Sequence, residues 1–121
     1  MRAAVKEVVL AIQQALCAEY GVDRIQDIPA GVLPKLSEEG ETEQVLRFIA
    51  ARCPLDGLDE YCNTGLITAS YEGHVEIVRL LIQQPNIDLN KKDDWNDSPL
   101  EGARKKNHTE IVQLLTDAGA Q

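Results

Sequence analysis

Two nine-residue stretches of the chain are nearly the same, GHVEIVRLL at 73–81 and NHTEIVQLL at 107–115. They lie 34 residues apart, and six of the nine positions are identical. Upstream of both stretches, Leu66 corresponds to Leu100 at the same offset. A period of this length is typical of repeat proteins, in which each unit buries its apolar face only against its neighbours.

A third and weaker copy precedes these two at an offset of 33 residues. Gly40 corresponds to Gly73, and Val45 corresponds to Val78. Arg47 breaks the pattern at a position where the later copies have leucine. An imperfect unit is expected at the end of a repeat array, because one of its faces meets solvent or a cap.

The pattern within each unit predicts a short helix, a tight turn and a longer helix. Gly73 lies at the turn of the second unit and Asn107 at the turn of the third, and both residue types tolerate a left-handed backbone. One apolar face of the longer helix in the second unit is formed by Ile77, Val78, Leu81 and Ile82. We therefore predict an all-α solenoid of three helix–turn–helix units.

The first helix of the third unit has clear start signals. Ser98 is suited to the N-cap and Pro99 to the first helical position, where a missing N–H costs nothing. Glu101 follows Ser98 by three residues, so a reciprocal capping box is also predicted.

The segment before the repeats predicts one long helix over about residues 2–19. We expect this helix to cap the first unit with its apolar stripe of Val5, Val8, Val9, Ile12, Ala15 and Leu16. The predicted organisation is a capping helix and connector at 1–30 and a repeat domain at 31–121, with units at 31–63, 64–97 and 98–121.

Charge and composition narrow the range of partners. The 121 residues include 20 acidic and 12 basic side chains, for a net charge of −8. Such a chain repels phosphate, which argues against nucleic acid and anionic membranes as partners. No apolar run reaches the roughly 18 residues that a membrane helix needs. We expect a cytoplasmic, monomeric protein.

Residues that could bind a metal or act as a nucleophile are few, and their spacing does not suit either role. Cys53 and Cys62 stand too far apart for a zinc-binding pair. Asp59 and Glu60 lie close to Cys62 and are expected to raise its pKa, which disfavours a thiolate nucleophile. We predict packed, inert thiols at Cys17, Cys53 and Cys62, and neither a catalytic site, a metal nor a cofactor.

These repeats resemble the ankyrin repeat family. The resemblance rests on GHVEIVRLLI at 73–82, IDLN at 87–90 and SPLEGA at 98–103, and it is most specific over 64–120. Two departures are Glu101, where the family has histidine, and the stretch from Thr64, which lacks the family's proline. The stretch KDDWNDSPL at 92–100 is similar to the ankyrin tails of kidney-type glutaminases and of plant potassium channels.

The resemblance implies protein–protein binding without a cofactor. It also implies that His74 and His108, which share one repeat position, hydrogen-bond between adjacent repeats. Tyr61 and Trp95 likewise share a position, in turns that the family leaves variable and exposed. Large rings there favour a binding role, although Trp95 covering its own helix start is equally compatible with the pattern.

We predict that Tyr61 and Trp95 anchor a protein partner at the repeat tips and that Tyr71 extends the same concave face. Charged residues would line that face and favour a basic surface on the partner. The acidic run at 38–43 is interpreted as an ordinary solvated face. The predicted contact residues are Tyr61, Trp95, Tyr71, Glu60, Glu72, Asp94, Asp97 and Lys105.

Three alternatives stay open at this point. The chain could be a small acidic inhibitor of a basic enzyme, or the regulatory or assembly tail of a larger enzyme. Thiol or metal catalysis is the third. The sequence also leaves open whether the first helix caps its own chain or meets another copy.

Overall fold

The computed structural model describes residues 2–121, with side chains from residue 4 onward. This part of the chain forms seven α-helices and no strand, as the repeat pattern predicts. A short 3₁₀ helix at Ile25–Asp27 lies in the connector. The α-helices are α1 Arg2–Tyr20, α2 Val32–Glu38, α3 Thr42–Ala50, α4 Gly65–Glu72, α5 Val75–Ile82, α6 Pro99–Lys105 and α7 Thr109–Asp117.

The helices after α1 form three antiparallel pairs in two layers. The inner helices α2, α4 and α6 stack side by side, and the outer helices α3, α5 and α7 stack behind them. Small residues allow the inner helices to approach closely. A methyl group added at Gly65 would lie 2.8 Å from the Ser37 hydroxyl oxygen, and Ala69 and Ala103 are fully buried.

The core repeats with the sequence. Residues at equivalent positions are almost completely buried in successive units, which explains why the period is kept. In α5 the predicted apolar face is buried except for Ile82, which is half-buried. The repeating core residues are Leu33, Leu66 and Leu100 in the inner layer and Val45, Val78, Ile77, Ile111, Leu81 and Leu115 in the outer layer.

The turn glycines and the repeat histidines form one interlocked contact. Gly73 has the predicted left-handed backbone, with a φ of 84°, and Asn107 has a φ of 61°. The His108 ring lies over Gly73, and its Nε2 is 3.0 Å from the carbonyl oxygen of Tyr71. His74 makes the same contact with the preceding unit, at 2.8 Å from the carbonyl oxygen of Glu38. Each histidine therefore hydrogen-bonds to the unit before its own.

Hydroxyl side chains start both later inner helices. The Ser98 oxygen accepts a hydrogen bond from the Glu101 N–H at 3.2 Å, as predicted, and the Thr64 oxygen accepts one from the Ile67 N–H at 3.2 Å. Helix α4 is therefore capped at its N-terminus even though the family's proline is missing near Thr64. The other half of the predicted capping box does not form, because the Glu101 carboxylate turns toward the Lys92 ammonium group, 3.9 Å away.

Helix α1 packs beside α3 through its C-terminal half. The Gln13 amide donates to the Ala51 carbonyl oxygen at 2.8 Å, and Leu16 is fully buried. Arg47 forms an ion pair with Glu19 at 3.0 Å. Arg47, which breaks the repeat pattern, therefore contacts α1, the helix that packs on the first unit.

Helix α1 covers the first unit with only part of its apolar stripe. Val5 is 53% exposed and Val8 is 59% exposed, and Ala15 is also exposed. The reason is length: the 19 residues of α1 span about 28 Å, whereas the 9 residues of α3 span about 14 Å. Only part of α1 has a neighbour against which to pack.

The contact between Gly73 and His108 predicts a large effect of a single methyl group. In Gly73→Ala, the added carbon would lie 2.7 Å from the imidazole ring at a backbone angle that alanine disfavours. We expect a loss of about 2–4 kcal/mol in the free energy of unfolding, measured by urea denaturation.

Gly21→Ala is the matched control, because Gly21 has a φ of 65° with open space around it. It should lose only the backbone part, about 1–2 kcal/mol. If the two variants lose the same free energy of unfolding, the contact between Gly73 and the His108 ring does not add to the cost of the methyl group.

Candidate functional site

Two loops between the repeat units have the same local structure, and we call them the tips: residues 59–63 and residues 93–97. In the first tip, one carboxylate oxygen of Asp59 accepts hydrogen bonds from the N–H groups of Tyr61 and Asn63, at 2.8 and 2.9 Å. An aspartate that binds backbone amides in this way holds a tight turn closed.

The second tip repeats this arrangement around Asp93. One of its carboxylate oxygens accepts from the N–H groups of Trp95 and Asp97, both at 2.9 Å. The backbone of each tip also closes on itself, with the Asp93 N–H donating to the Asp97 carbonyl oxygen at 3.0 Å. Both tips therefore present an aromatic residue from a fixed turn.

The stacking of the units brings the two aromatic rings together. The Asp94 N–H donates to the Tyr61 carbonyl oxygen at 3.1 Å, which joins one tip to the next. The rings of Tyr61 and Trp95 then lie 5.3 Å apart between centroids, tilted by 42°. They are 48% and 63% exposed, so much of each ring faces solvent rather than the core.

A groove of about 870 Å³ lies between the tips and the inner helices. Asp94 is the one predicted contact residue that does not line it; its carboxylate lies near the Cys62 thiol instead. The seven predicted residues that the groove brings together are Tyr61, Trp95, Tyr71, Glu60, Glu72, Asp97 and Lys105.

Sequence reasoning missed most of the groove floor. Lys35, Thr68 and Gly102 occupy equivalent positions of the three inner helices, and all three line the groove. Glu38 stands one helical turn after Lys35, at the position of Tyr71 in the next unit, and also lines it. Extending the repeat offset from Tyr71 back to the first unit finds Glu38, a residue of the acidic run that the sequence pattern alone presents as a solvated face.

The groove carries more negative than positive charge. Six of its side chains are carboxylates and two are lysines. Lys105 donates to both carboxylate oxygens of Asp97, at 2.7 and 2.8 Å, and this hydrogen bond raises the pKa of Lys105. At the end of the groove, the Lys106 ammonium group lies 4.7 Å from the centre of the Tyr71 ring.

The three cysteines are free thiols, and two have a shifted pKa. Burial raises the pKa of Cys53 to about 11, and the nearby Cys17 adds to this. The pKa of Cys62 is raised mainly by its hydrogen bond to Asp94, with a smaller contribution from the charge of Asp59. The expected direction is confirmed for Cys62, but Asp94 rather than Asp59 and Glu60 is its main cause.

The described residues contain neither a candidate metal cluster nor a candidate membrane span. Within residues 2–121, no three histidine, cysteine or acidic side chains are placed to share a metal ion. None of the helices in that part of the chain has the length and apolar character needed to cross a membrane.

Comparison with known proteins identifies a family, and the relatives that match include two glutaminases. A family model described as ankyrin repeats (3 copies) matches residues 35–121. The mitochondrial liver isoform of glutaminase is 35% identical over 78 residues in Mus musculus and 33% identical over 78 residues in Rattus norvegicus. Each match covers 64% of this chain and 13% of the relative, so the chain spans only a small part of their length.

The environment of Cys53 predicts a slow reaction of this thiol with iodoacetamide at pH 8. A raised pKa leaves less thiolate at that pH, and the thiolate is the reactive form. We expect Cys53, which is also buried, to react much more slowly in the folded chain than in urea, measured by mass spectrometry of the alkylated peptides. Equal rates for Cys53 in the two states would contradict this environment.

Asp94→Asn is the matching variant for Cys62. Removing the carboxylate lowers the pKa of the thiol toward its ordinary value, so Cys62 should be alkylated faster while Cys53 is unchanged. An unchanged rate at Cys62 would rule out the hydrogen bond as the cause.

Proposed function

The chain belongs to the ankyrin repeat family, and from that premise we propose that it is a non-catalytic module that binds a protein partner in the groove beside its tips. Ankyrin repeats generally mediate protein–protein interactions, and a stacked array offers an extended concave surface for this purpose. The exposed pair of Tyr61 and Trp95 is the observation that carries the proposal for this chain.

The anchor role of this pair is supported by its geometry and its surroundings. Large rings that line a groove and stay half exposed are typical of interface hot spots, which are enriched in tryptophan and tyrosine. Both rings sit on turns that aspartate side chains hold closed, so little conformational entropy is lost when a partner binds. Trp95 contacts the neighbouring tip, which argues against a role limited to its own helix start.

The charge of the groove supports a partner with a basic surface. Carboxylates outnumber lysines among the lining residues, and the chain as a whole has a net charge of −8. Charge complementarity of this kind speeds encounter more than it tightens the complex. We also propose that the protein is a monomer and that it is cytoplasmic, although the two relatives are by name mitochondrial proteins. The boundary between the capping segment and the repeat domain is proposed to lie between residues 30 and 31.

A second candidate is the regulatory or assembly tail of a larger enzyme. It is favoured by the glutaminase matches, which cover 64% of this chain but 13% of each relative. The observation that decides it is the full coding sequence: an adjoining catalytic domain would make this module part of an enzyme. The third candidate, a small acidic inhibitor of a basic enzyme, rests on the net charge alone.

Removing the tryptophan ring should test the binding site directly. We expect Trp95→Ala to weaken the complex by about 2 kcal/mol, because a central anchor ring is lost. Affinity capture followed by mass spectrometry would identify the partner, and isothermal titration would then measure the loss.

Leu46→Ala is the matched control, since Leu46 is a large apolar side chain that is 48% exposed on α3 and does not line the groove. It should leave the affinity unchanged. A partner that binds both variants as well as the original chain would place the interface elsewhere and refute the proposal.

The ionic strength should act mainly on the association rate. Because the attraction between a negative groove and a basic partner is screened by salt, the on-rate should fall steeply between about 0.05 and 0.5 M salt while the off-rate changes little. Surface plasmon resonance with the captured partner measures both rates. An on-rate independent of salt would exclude electrostatic steering.

A further inference from the structure

The carboxylates of the groove are not equally available to a partner. Asp59 and Asp93 already accept hydrogen bonds from the backbone amides of their own tips. Asp97 is paired with Lys105 at 2.7 Å. Each of these three acids therefore already has hydrogen-bonding partners within the site.

Three other carboxylates line the groove without such a contact. Glu38, Glu60 and Glu72 are exposed, and among the described residues none of their side chains takes part in a hydrogen bond or an ion pair. Glu60 directly precedes Tyr61 in the first tip, and Glu72 ends α4 beside Tyr71. Unpaired carboxylates therefore lie both in a tip and at the end of an inner helix.

The aromatic rings divide in the same way. The Tyr71 ring already has a cation of this chain against it, since the Lys106 ammonium group lies 4.7 Å from its centre. Within the described part of the chain, Tyr61 and Trp95 have no such cation and contact each other instead. The faces of an aromatic ring attract cations, and tryptophan attracts them most strongly.

We propose that the groove takes an arginine side chain of the partner, with its guanidinium group against the rings of Tyr61 and Trp95, in a groove also lined by the unpaired carboxylates of Glu60 and Glu72. This inference rests on the proposed function and names the chemical group that the partner must supply. The rings and the unpaired carboxylates favour the same kind of ligand, one that is both flat and positively charged.

Arginine fits these groups better than lysine does. A guanidinium group is planar, stacks on aromatic rings and donates to a carboxylate through two parallel N–H groups. An ammonium group is more strongly hydrated, and it loses more solvation on reaching an open groove. The two internal lysine contacts of this region, to Asp97 and to Tyr71, leave the Tyr61 and Trp95 rings for a ligand from outside.

The chain contains a built-in reporter for this site, because Trp95 is its single tryptophan. Its fluorescence can be titrated with three nine-residue peptides of one design, in which three basic positions are separated by glycine and serine. The positions carry arginine in the first peptide, lysine in the second and citrulline in the third. Citrulline keeps the shape of arginine but is neutral.

We expect saturable binding of the arginine peptide, roughly fivefold weaker binding of the lysine peptide and no measurable binding of the citrulline peptide. Tyr61→Ala should weaken the arginine peptide by about fivefold while Trp95 still reports. The double variant Glu60→Gln and Glu72→Gln should weaken it by a similar factor.

The double variant Glu39→Gln and Glu41→Gln is the charge-matched control. Both residues are exposed acids that do not line the groove, so this variant should bind the arginine peptide as the original chain does. An equal loss in the two double variants would mean that overall charge, rather than this site, attracts the peptide, and would overturn the inference.

Failure of this inference is separable from failure of the proposed function. If the arginine and citrulline peptides bind equally, or neither binds, the arginine site is wrong, whereas a partner whose capture depends on Trp95 still supports the interaction module. Equal binding of arginine and lysine would refute the guanidinium assignment. If Trp95→Ala leaves partner capture unchanged, the groove itself is not the interface.

Discussion

The close stacking of the inner helices is the constraint on which the rest of the structure depends. Single units of this size cannot bury their own apolar faces, so their stability comes from neighbours. Gly65 faces Ser37 across this interface at a distance that leaves no room for a larger side chain. The outer layer adds a second link at each junction, where a histidine lies over the glycine of the unit before it.

The candidate site is formed by this stacking of the units, because its residues come from different repeats. Tyr61 and Trp95 belong to different units, and each is positioned by hydrogen bonds inside its own tip. Their ring centroids lie 5.3 Å apart because successive units stack side by side and bring equivalent tips together. The same translation aligns Lys35, Thr68 and Gly102 along the groove floor. A change that shifted one unit against the next would therefore alter the groove without touching any residue that lines it.

The first unit shows how a repeat is adapted to the end of an array. Its outer helix meets α1 instead of a further unit, and Arg47 replaces the leucine of the later units to reach Glu19. Phe48 packs edge-on against Tyr20, with ring centroids 6.0 Å apart. Because α1 is about twice as long as its neighbour, its N-terminal half extends beyond these contacts with Val5 and Val8 exposed.

The sequence by itself determined the local and periodic features. The offset between the copies predicted the units, Gly73 and Asn107 marked the turns, and Ser98 marked a helix start, because each depends on residues close in the chain. Only the tertiary structure decided what depends on distance. It placed Cys62 near Asp94 across two tips, placed Glu38 in the groove and left Val5 and Val8 of α1 exposed. A pattern of residue types records which side chains share a helix face, but how far one unit lies from the next is set by packing.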